Sequence, residues 1–450
     1  MTLTTISSAL EKLRSCEITP SALARFFLDK IDTYNPGINA FSEVIHDGLG
    51  DAAPEQPLYG IPLAIKDLID VQGHPTRAGS PRFFGDVSAE SDAFVVEKLK
   101  AAGATIIGKT HTHEIALGIT GINPHYGPVH NPYNLDYISG GSSSGSAAAV
   151  AAGMCLGALG TDTGGSIRIP SALCGVVGMK PTLGRVSTRG VVPLSWSLDH
   201  VGPIAATVED AAILLQVIAG YDALDPASIN IPVDDYLGKL HDGVRGWHIA
   251  LLSGEDLAAS NPAVLDALNN AATAFRELGA IVTPVEIEIL RAASNANLQI
   301  TLSDAAAFHR QRLAEHPDWF GEDVRQRLEA GMWSNVTEYS LARRTQSEAK
   351  RYFEGFFQDY DVLLLPTTAS ASVPIAGLKS AEYAPRLTSF TAPFNLTGLP
   401  ALSVPFGRVD GLPIGLQIVG PAWGEAKVLQ AGQAFEKSHI NHEGTKTPGF

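Results

Sequence analysis

The chain has 450 residues, 45% of them hydrophobic and only 18% charged, with a net charge of −15. That composition gives a globular protein with a large core and excludes a disordered, collagenous or coiled-coil chain. The negative field disfavours nucleic acid and anionic lipid as partners. Three cysteines without paired CxxC spacing support neither a disulfide framework nor a thiolate zinc site, so a cytoplasmic setting is expected. The N-terminal sequence lacks a basic stretch followed by an apolar one, and no apolar run is long enough for a membrane span.

In chain order, Thr19-Pro20 starts a helix over SALARFFLDKIDTY that Asn35-Pro36 should stop. Ile61 to Ile65 is a short apolar run ending at Lys66-Asp67, as a buried strand ends at a functional edge. Ser91-Asp92 should cap AFVVEKLKAA, Gly103 should end it, and the β-branched ATII should follow as a strand. Ala147 to Ala158 reads as a buried helix passing into a strand, and TVEDAAILLQVIAG (Thr207 to Gly220) as a capped helix. Helix, glycine and strand recur between Pro262 and Glu286, and VLLLP, ALSVPFG and IGLQIVG read as buried strands between Val362 and Gly420. These alternations predict an α/β fold, a central mixed sheet covered by helices on both faces. No low-complexity linker interrupts residues 1–450, so one domain is expected, with the more polar stretch from about Asp225 to Arg351 forming peripheral helices.

Two motifs mislead when read alone. Gly103-ATII-Gly108-Lys109-Thr110 matches a phosphate loop, but a helix precedes the first glycine and the intervening residues are strand-like, the reverse of what such a loop needs. His111, His113 and Glu114 form no HExxH pattern and read as satisfied or solvated side chains. Gly141-Ser142-Ser143-Ser144-Gly145 fits GxSxG, which would make Ser143 the nucleophile of an α/β-hydrolase-type esterase. Such an elbow follows a strand, whereas HNPYNLDYISG reads as a turn-rich loop.

A second glycine cluster carries more chemistry. Leu156 to Gly160 is strand-like, and Thr161-Asp162-Thr163-Gly164-Gly165-Ser166 then turns sharply. Adjacent glycines let backbone N–H groups approach an oxygen closely, as an oxyanion hole requires, with Ser166 beside them as a nucleophile on a surface turn. No histidine is near. Lys66 can serve as base if burial lowers its pKa.

The stretch Gly140 to Thr182, with IPLAIKD (Ile61 to Asp67), GKTHTHEIALG, NPYN, GLPALSVPFG and GLPIGLQIVG, resembles the amidase signature family of serine hydrolases. The resemblance implies a catalytic triad of Lys66 as base, Ser142 as bridging serine after a cis peptide bond and Ser166 as nucleophile. It implies an oxyanion hole from Thr163, Gly164, Gly165 and Ser166, with Ser143, Asp162 and Arg168 holding the loops. Ser144 departs from the glycine of many members. The implied activity is cleavage of small or medium amides through an acyl-enzyme, with esters and carbamates as further, urethanase-like substrates and no metal or cofactor. The apolar loop with Leu117, Gly118 and Ile119 would border the acyl pocket, and the protein would act as monomer or homodimer. The main alternative within the family is the A subunit of a glutamine-dependent tRNA amidotransferase. Its SRYDG-type segment is missing, and Asp304 to Gly331 resembles stand-alone amidases instead.

Overall fold

Eleven strands join into one mixed sheet in the computed structural model, which describes residues 5–46, 52–83 and 86–440. In chain order they are β1 (Phe41–Val44), β2 (Pro62–Lys66), β3 (Thr105–Thr110), β4 (Gly157–Asp162), β5 (Val177–Lys180), β6 (His200–Ala205), β7 (His248–Leu252), β8 (Ile281–Val285), β9 (Val362–Pro366), β10 (Ala401–Val409) and β11 (Leu412–Val419). Their order across the sheet is β1-β3-β2-β4-β6-β5-β10-β11-β9-β7-β8. β2 pairs in parallel with both β3 and β4, whereas β4-β6-β5-β10-β11-β9 is antiparallel throughout. Every residue of β2, β3, β4, β6, β9 and β11 is buried, so none of these strands alternates between an apolar and a polar face, and the polar residues they carry, such as Lys109, Asp162 and His200, are enclosed.

The parallel trio positions the site. In open α/β sheets, side chains converge beyond the carboxyl ends of parallel strands. Here β2 delivers Lys66 and β4 delivers Thr161 and Asp162 to that edge. Against both packs the helix Ser144–Ala151, all eight residues of which are buried. Its small side chains are required by the space: a Cβ on Gly145 would lie 2.1 Å from the Ala40 carbonyl oxygen.

Three local expectations need correction. The first long helix runs Pro20–Ile38, past Pro36, and ends at Asn39, whose left-handed backbone donates its N–H to the Asn35 carbonyl. Asn35 instead organises the chain after the helix, its Oδ1 accepting the N–H groups of Ala40 and Phe41. The helix Phe94–Ala101 begins at Ala93 without a side-chain cap, because Asp92 is held by the Gln72 N–H and Lys100. The stretch from Asp225 to Arg351 supplies more than peripheral helices. β7 and β8 within it extend the sheet in parallel beyond β9, while the polar helices Leu290–Glu315, Glu322–Met332 and Val336–Asp359 follow them. No helix among the described residues is long and apolar enough to cross a membrane.

Candidate active site

Lys66 is fully buried, and its Nζ donates to three hydroxyl oxygens, Ser142 Oγ at 2.7 Å, Ser143 Oγ at 2.9 Å and Thr161 Oγ1 at 2.7 Å. No carboxylate among the described residues touches the amine. Burial therefore pulls its pKa well below the usual lysine value, and the more distant Asp162 and Asp199 offset this only in part. Lys109 on neighbouring β3 is as deeply buried but lies 3.3 Å from Asp67 and donates to Thr76 and the Pro75 carbonyl. It is an ion-pair lysine inside a strand, which also disposes of the phosphate-loop reading.

The first serine turn wraps over Lys66. Gly140 takes a left-handed φ of +76°, and the Gly141–Ser142 peptide is cis, as the resemblance implies. Thr112 Oγ1 and the His113 N–H hold the Ser142 carbonyl. The segment before the turn is no plain loop, since His130–Asn131 and Asn134–Ile138 pair as a small separate hairpin. Ser143 nevertheless does not sit on an exposed elbow: it is fully buried, its hydroxyl donates to the Thr161 carbonyl and it accepts from the Thr161 N–H and Lys66. Ser144 is satisfied through the His111 carbonyl, so the departure from glycine leaves no orphaned hydroxyl.

The second turn is built around Asp162. Its carboxylate is fully buried and accepts the N–H groups of Gly165, Ile167 and Arg168, the Asn395 amide and a two-pronged contact from Arg168. These charge-assisted bonds hold its carboxyl well below the usual range despite burial. Arg168 also donates to the Thr391 carbonyl, Gln417 and Asn395, so its guanidinium is fully engaged in the framework. Gly165 has a φ of +138°, and a Cβ there would sit 2.4 Å from Thr391 Oγ1, so both backbone and space demand glycine.

This network corrects the oxyanion set. The Gly165 N–H is taken by Asp162 at 2.7 Å, whereas those of Thr163, Gly164 and Ser166 have no acceptor among the described residues. Ser166 is 3% exposed, so it is a buried residue and not a surface turn serine. Its carbonyl accepts the Ser143 N–H at 3.1 Å, which ties the two serine turns together, and its hydroxyl has no partner among the described residues.

The loop from Leu117 to Ile119 reaches the site by its backbone. A Cβ on Gly141 would lie 3.5 Å from the Gly118 carbonyl oxygen. Leu117 falls in an apolar cluster with Leu68, Ala305 and Phe320, and Ile119 in one with Ile138, Ile169 and Leu173. His113 and Glu114 are buried beneath the same loop, where Glu114 accepts from His125 and the Gly321 N–H. Sequence reading passes over Thr161, Asp199, Asn297, Thr391, Asn395 and Gln417. Thr161 carries a visible signal, standing beside Asp162 at a strand end. The others lie far along the chain from Asp162, with nothing local to mark them. Among the described residues no three His, Cys, Asp or Glu side chains converge as metal ligands.

A family model described as Amidase matches residues 22–429. The chain belongs to the amidase family. This amidase-family chain is 36% identical over 462 residues to the A subunit of the Glutamyl-tRNA(Gln) amidotransferase of Halothermothrix orenii, covering 96% of this chain and 97% of that protein. Among solved structures, an inhibitor-bound one from work on a vestigial protein complex and the origins of an s-triazine catabolic enzyme superposes with a TM-score of 0.91. It is 32% identical and covers 97% of this chain and 98% of that one. The native peptide amidase of Stenotrophomonas maltophilia gives a TM-score of 0.85 at 31% identity, covering 99% and 98% of the two chains.

Proposed function

We propose that this amidase-family protein cleaves an amide C–N bond through an acyl-enzyme on Ser166. The observation that carries the reading is a buried lysine amine, hydrogen-bonded to Ser142 and touched by no carboxylate among the described residues, close to N–H groups beside Ser166 that have no acceptor among those residues. Neutral Lys66 has two N–H groups, which serve Ser143 and Thr161, and a lone pair that faces Ser142; it draws the Ser142 proton as Ser142 takes that of Ser166, and Ser166 Oγ attacks the carbonyl carbon. The tetrahedral oxyanion is held by the free N–H groups of the second turn. The proton returns through Ser142 to the departing nitrogen, and water releases the acyl group by the same relay.

The acyl donor separates two readings. The relatives at 36–37% identity over 96% of the chain favour the A subunit of an amidotransferase, with glutamine as donor and partner subunits to receive the ammonia, over the small-amide hydrolase that the sequence reading puts first. One observation bears on the choice. A glutamine site needs a cation for the substrate carboxylate, and Arg168, next to the turn, is not it, since its donors are committed to Asp162, Thr391, Gln417 and Asn395, whereas Arg327 at the Leu117 carbonyl keeps an Nη2 without a partner among the described residues. Esters and carbamates fit the same stand-alone reading.

Two measurements test this. An alkyl fluorophosphonate should label Ser166, and an adduct on Ser143 instead would overturn the triad. The purified chain alone should then be assayed on glutamine, a neutral aryl amide, an aryl ester and an aryl carbamate. Turnover of glutamine above the aryl amide, or turnover only after partner subunits are added, supports the amidotransferase reading. Turnover of the neutral amide by the single chain supports the amidase reading.

A further inference from the structure

The free donors of the second turn are aimed by the carbonyl groups they share peptide planes with. A trans peptide is planar, so the C=O of one residue and the N–H of the next point in opposite directions, and whatever grips the carbonyl fixes where the N–H points. The Gly164 carbonyl accepts from Thr391 Oγ1 at 2.6 Å, and the N–H in that plane, Gly165's, goes to Asp162. The Gly165 carbonyl accepts the Ile169 N–H at 2.7 Å, and the N–H in that plane is the free one of Ser166. The Asp162 carbonyl accepts from Asn395 at 2.9 Å, and the N–H in that plane is Thr163's.

The remaining plane is gripped from elsewhere. The Thr163 carbonyl accepts from Asn297 Nδ2 at 3.1 Å, and this plane carries the free N–H of Gly164. Asn297 is buried on the helix Leu290–Glu315, part of the polar middle stretch and not of the core that supplies Thr391, Ile169 and Asn395. It packs close: a Cβ on Gly164 would lie 3.2 Å from Asn297 Oδ1. The Thr163 hydroxyl is held from another direction, donating to Asp199 Oδ1 at 2.5 Å, while Asp199 Oδ2 accepts the N–H groups of Leu194 and Ser195. Thr163 is thus fixed at its side chain by the core and at its carbonyl by the middle helix.

We infer that Asn297 is a positioning residue of the oxyanion hole, aiming the Gly164 N–H by holding the Thr163 carbonyl. The inference rests on the reading of Ser166 as nucleophile. It also gives the middle stretch, whose polar pattern differs from that of the sheet core, a direct hand in transition-state stabilisation. Asn297 touches no reacting atom, so its effect should appear where the oxyanion is formed and nowhere else.

The test uses Asn297→Asp, which keeps the shape but sets an acceptor against the carbonyl, and Asn297→Leu, which removes the donor. Each should lower kcat about tenfold to a hundredfold with KM and thermal unfolding midpoint near wild type. Affinity for an aryl trifluoromethyl ketone, which forms a tetrahedral oxyanion on the serine, should fall in step with kcat/KM. Affinity for a planar, uncleaved amide analogue should not change. A folded variant of either kind with wild-type kcat overturns the inference, as does an equal loss of affinity for the planar and tetrahedral compounds. If both variants unfold, Asn297 is a stability residue and the inference is likewise overturned. Fluorophosphonate labelling separates the two levels: wild-type protein unlabelled at Ser166 removes the nucleophile reading itself. Labelling of wild type and variants at equal rates removes only the role of Asn297.

Discussion

The two regions that meet at Thr163 treat charge in opposite ways. In the second glycine turn, Arg168 and Asp162 are both wholly buried and every contact they make is matched by a named partner. On the middle helices the ion pairs Arg325–Glu329, Arg344–Glu348 and Arg351–Glu354 each lie along the surface of a single helix, largely exposed. A buried charge must be fully partnered or it costs several kcal/mol, whereas an exposed pair is screened and nearly interchangeable. The difference teaches where sequence is constrained. The turn tolerates few alternatives at each position, and the middle stretch is constrained only where, as at Asn297, it reaches inward.

The sharpest way to break this comparison is at Lys66. Its neutral form is what the proposed chemistry uses, and burial lowers its pKa, so kcat/KM should rise with pH as the amine loses its proton and level off above that lowered value. Lys66→Arg keeps the positive charge but cannot accept a proton, and should cut kcat about 100- to 10,000-fold and remove that rise. A pH–rate profile of both proteins checks this. Wild-type rates in the variant would make Lys66 a structural cation like Lys109.

Arg168→Met comes next, and its effect is on stability. It leaves Asp162 ionised and buried without its counter-charge, a loss of about 3–5 kcal/mol. Urea unfolding should show this as a lower midpoint with an unchanged slope. A variant within about 1 kcal/mol of wild type would mean that the N–H groups of Gly165, Ile167 and Arg168 alone suffice to hold the carboxylate.

The same contrast explains what the sequence reveals. The buried strands β2, β4, β9, β10 and β11 are legible because two-faced burial writes apolar runs, and Lys66 is legible because it ends one of them. The glycine at 165 is legible because a turn that crowded, at a positive φ, admits no side chain there. Asp199, Asn297, Thr391 and Asn395 are not, because each is a polar residue chosen by a partner distant in the chain, and no local period or spacing records that partner. The Gly165 N–H is assignable to the oxyanion from the motif, yet the fold gives it to Asp162, since a carboxylate three residues back in a tight turn captures the nearest donor. Leu117 and Ile119, which sit in buried apolar clusters, are the harder case. Apolar side chains near a site serve core and pocket equally well, and only the fold decides between them.

The smallest effect belongs to Arg344→Met, the exposed counterpart of Arg168→Met. Arg344 Nε lies 2.9 Å from Glu348 Oε1, a distance as good as those in the buried pair, but the two side chains are 75% and 52% exposed. Water and salt screen the attraction, and ordering two long side chains costs entropy, so the pair is worth about 0.3–0.5 kcal/mol. The same urea unfolding experiment should place this variant within that margin of wild type, with kcat and KM unchanged and the small difference shrinking further as salt is raised. A loss above about 1 kcal/mol, or any loss that salt does not diminish, would mean that this face of the middle helix is buried against something in solution, and the division between a constrained turn and a free outer helix would have to be redrawn.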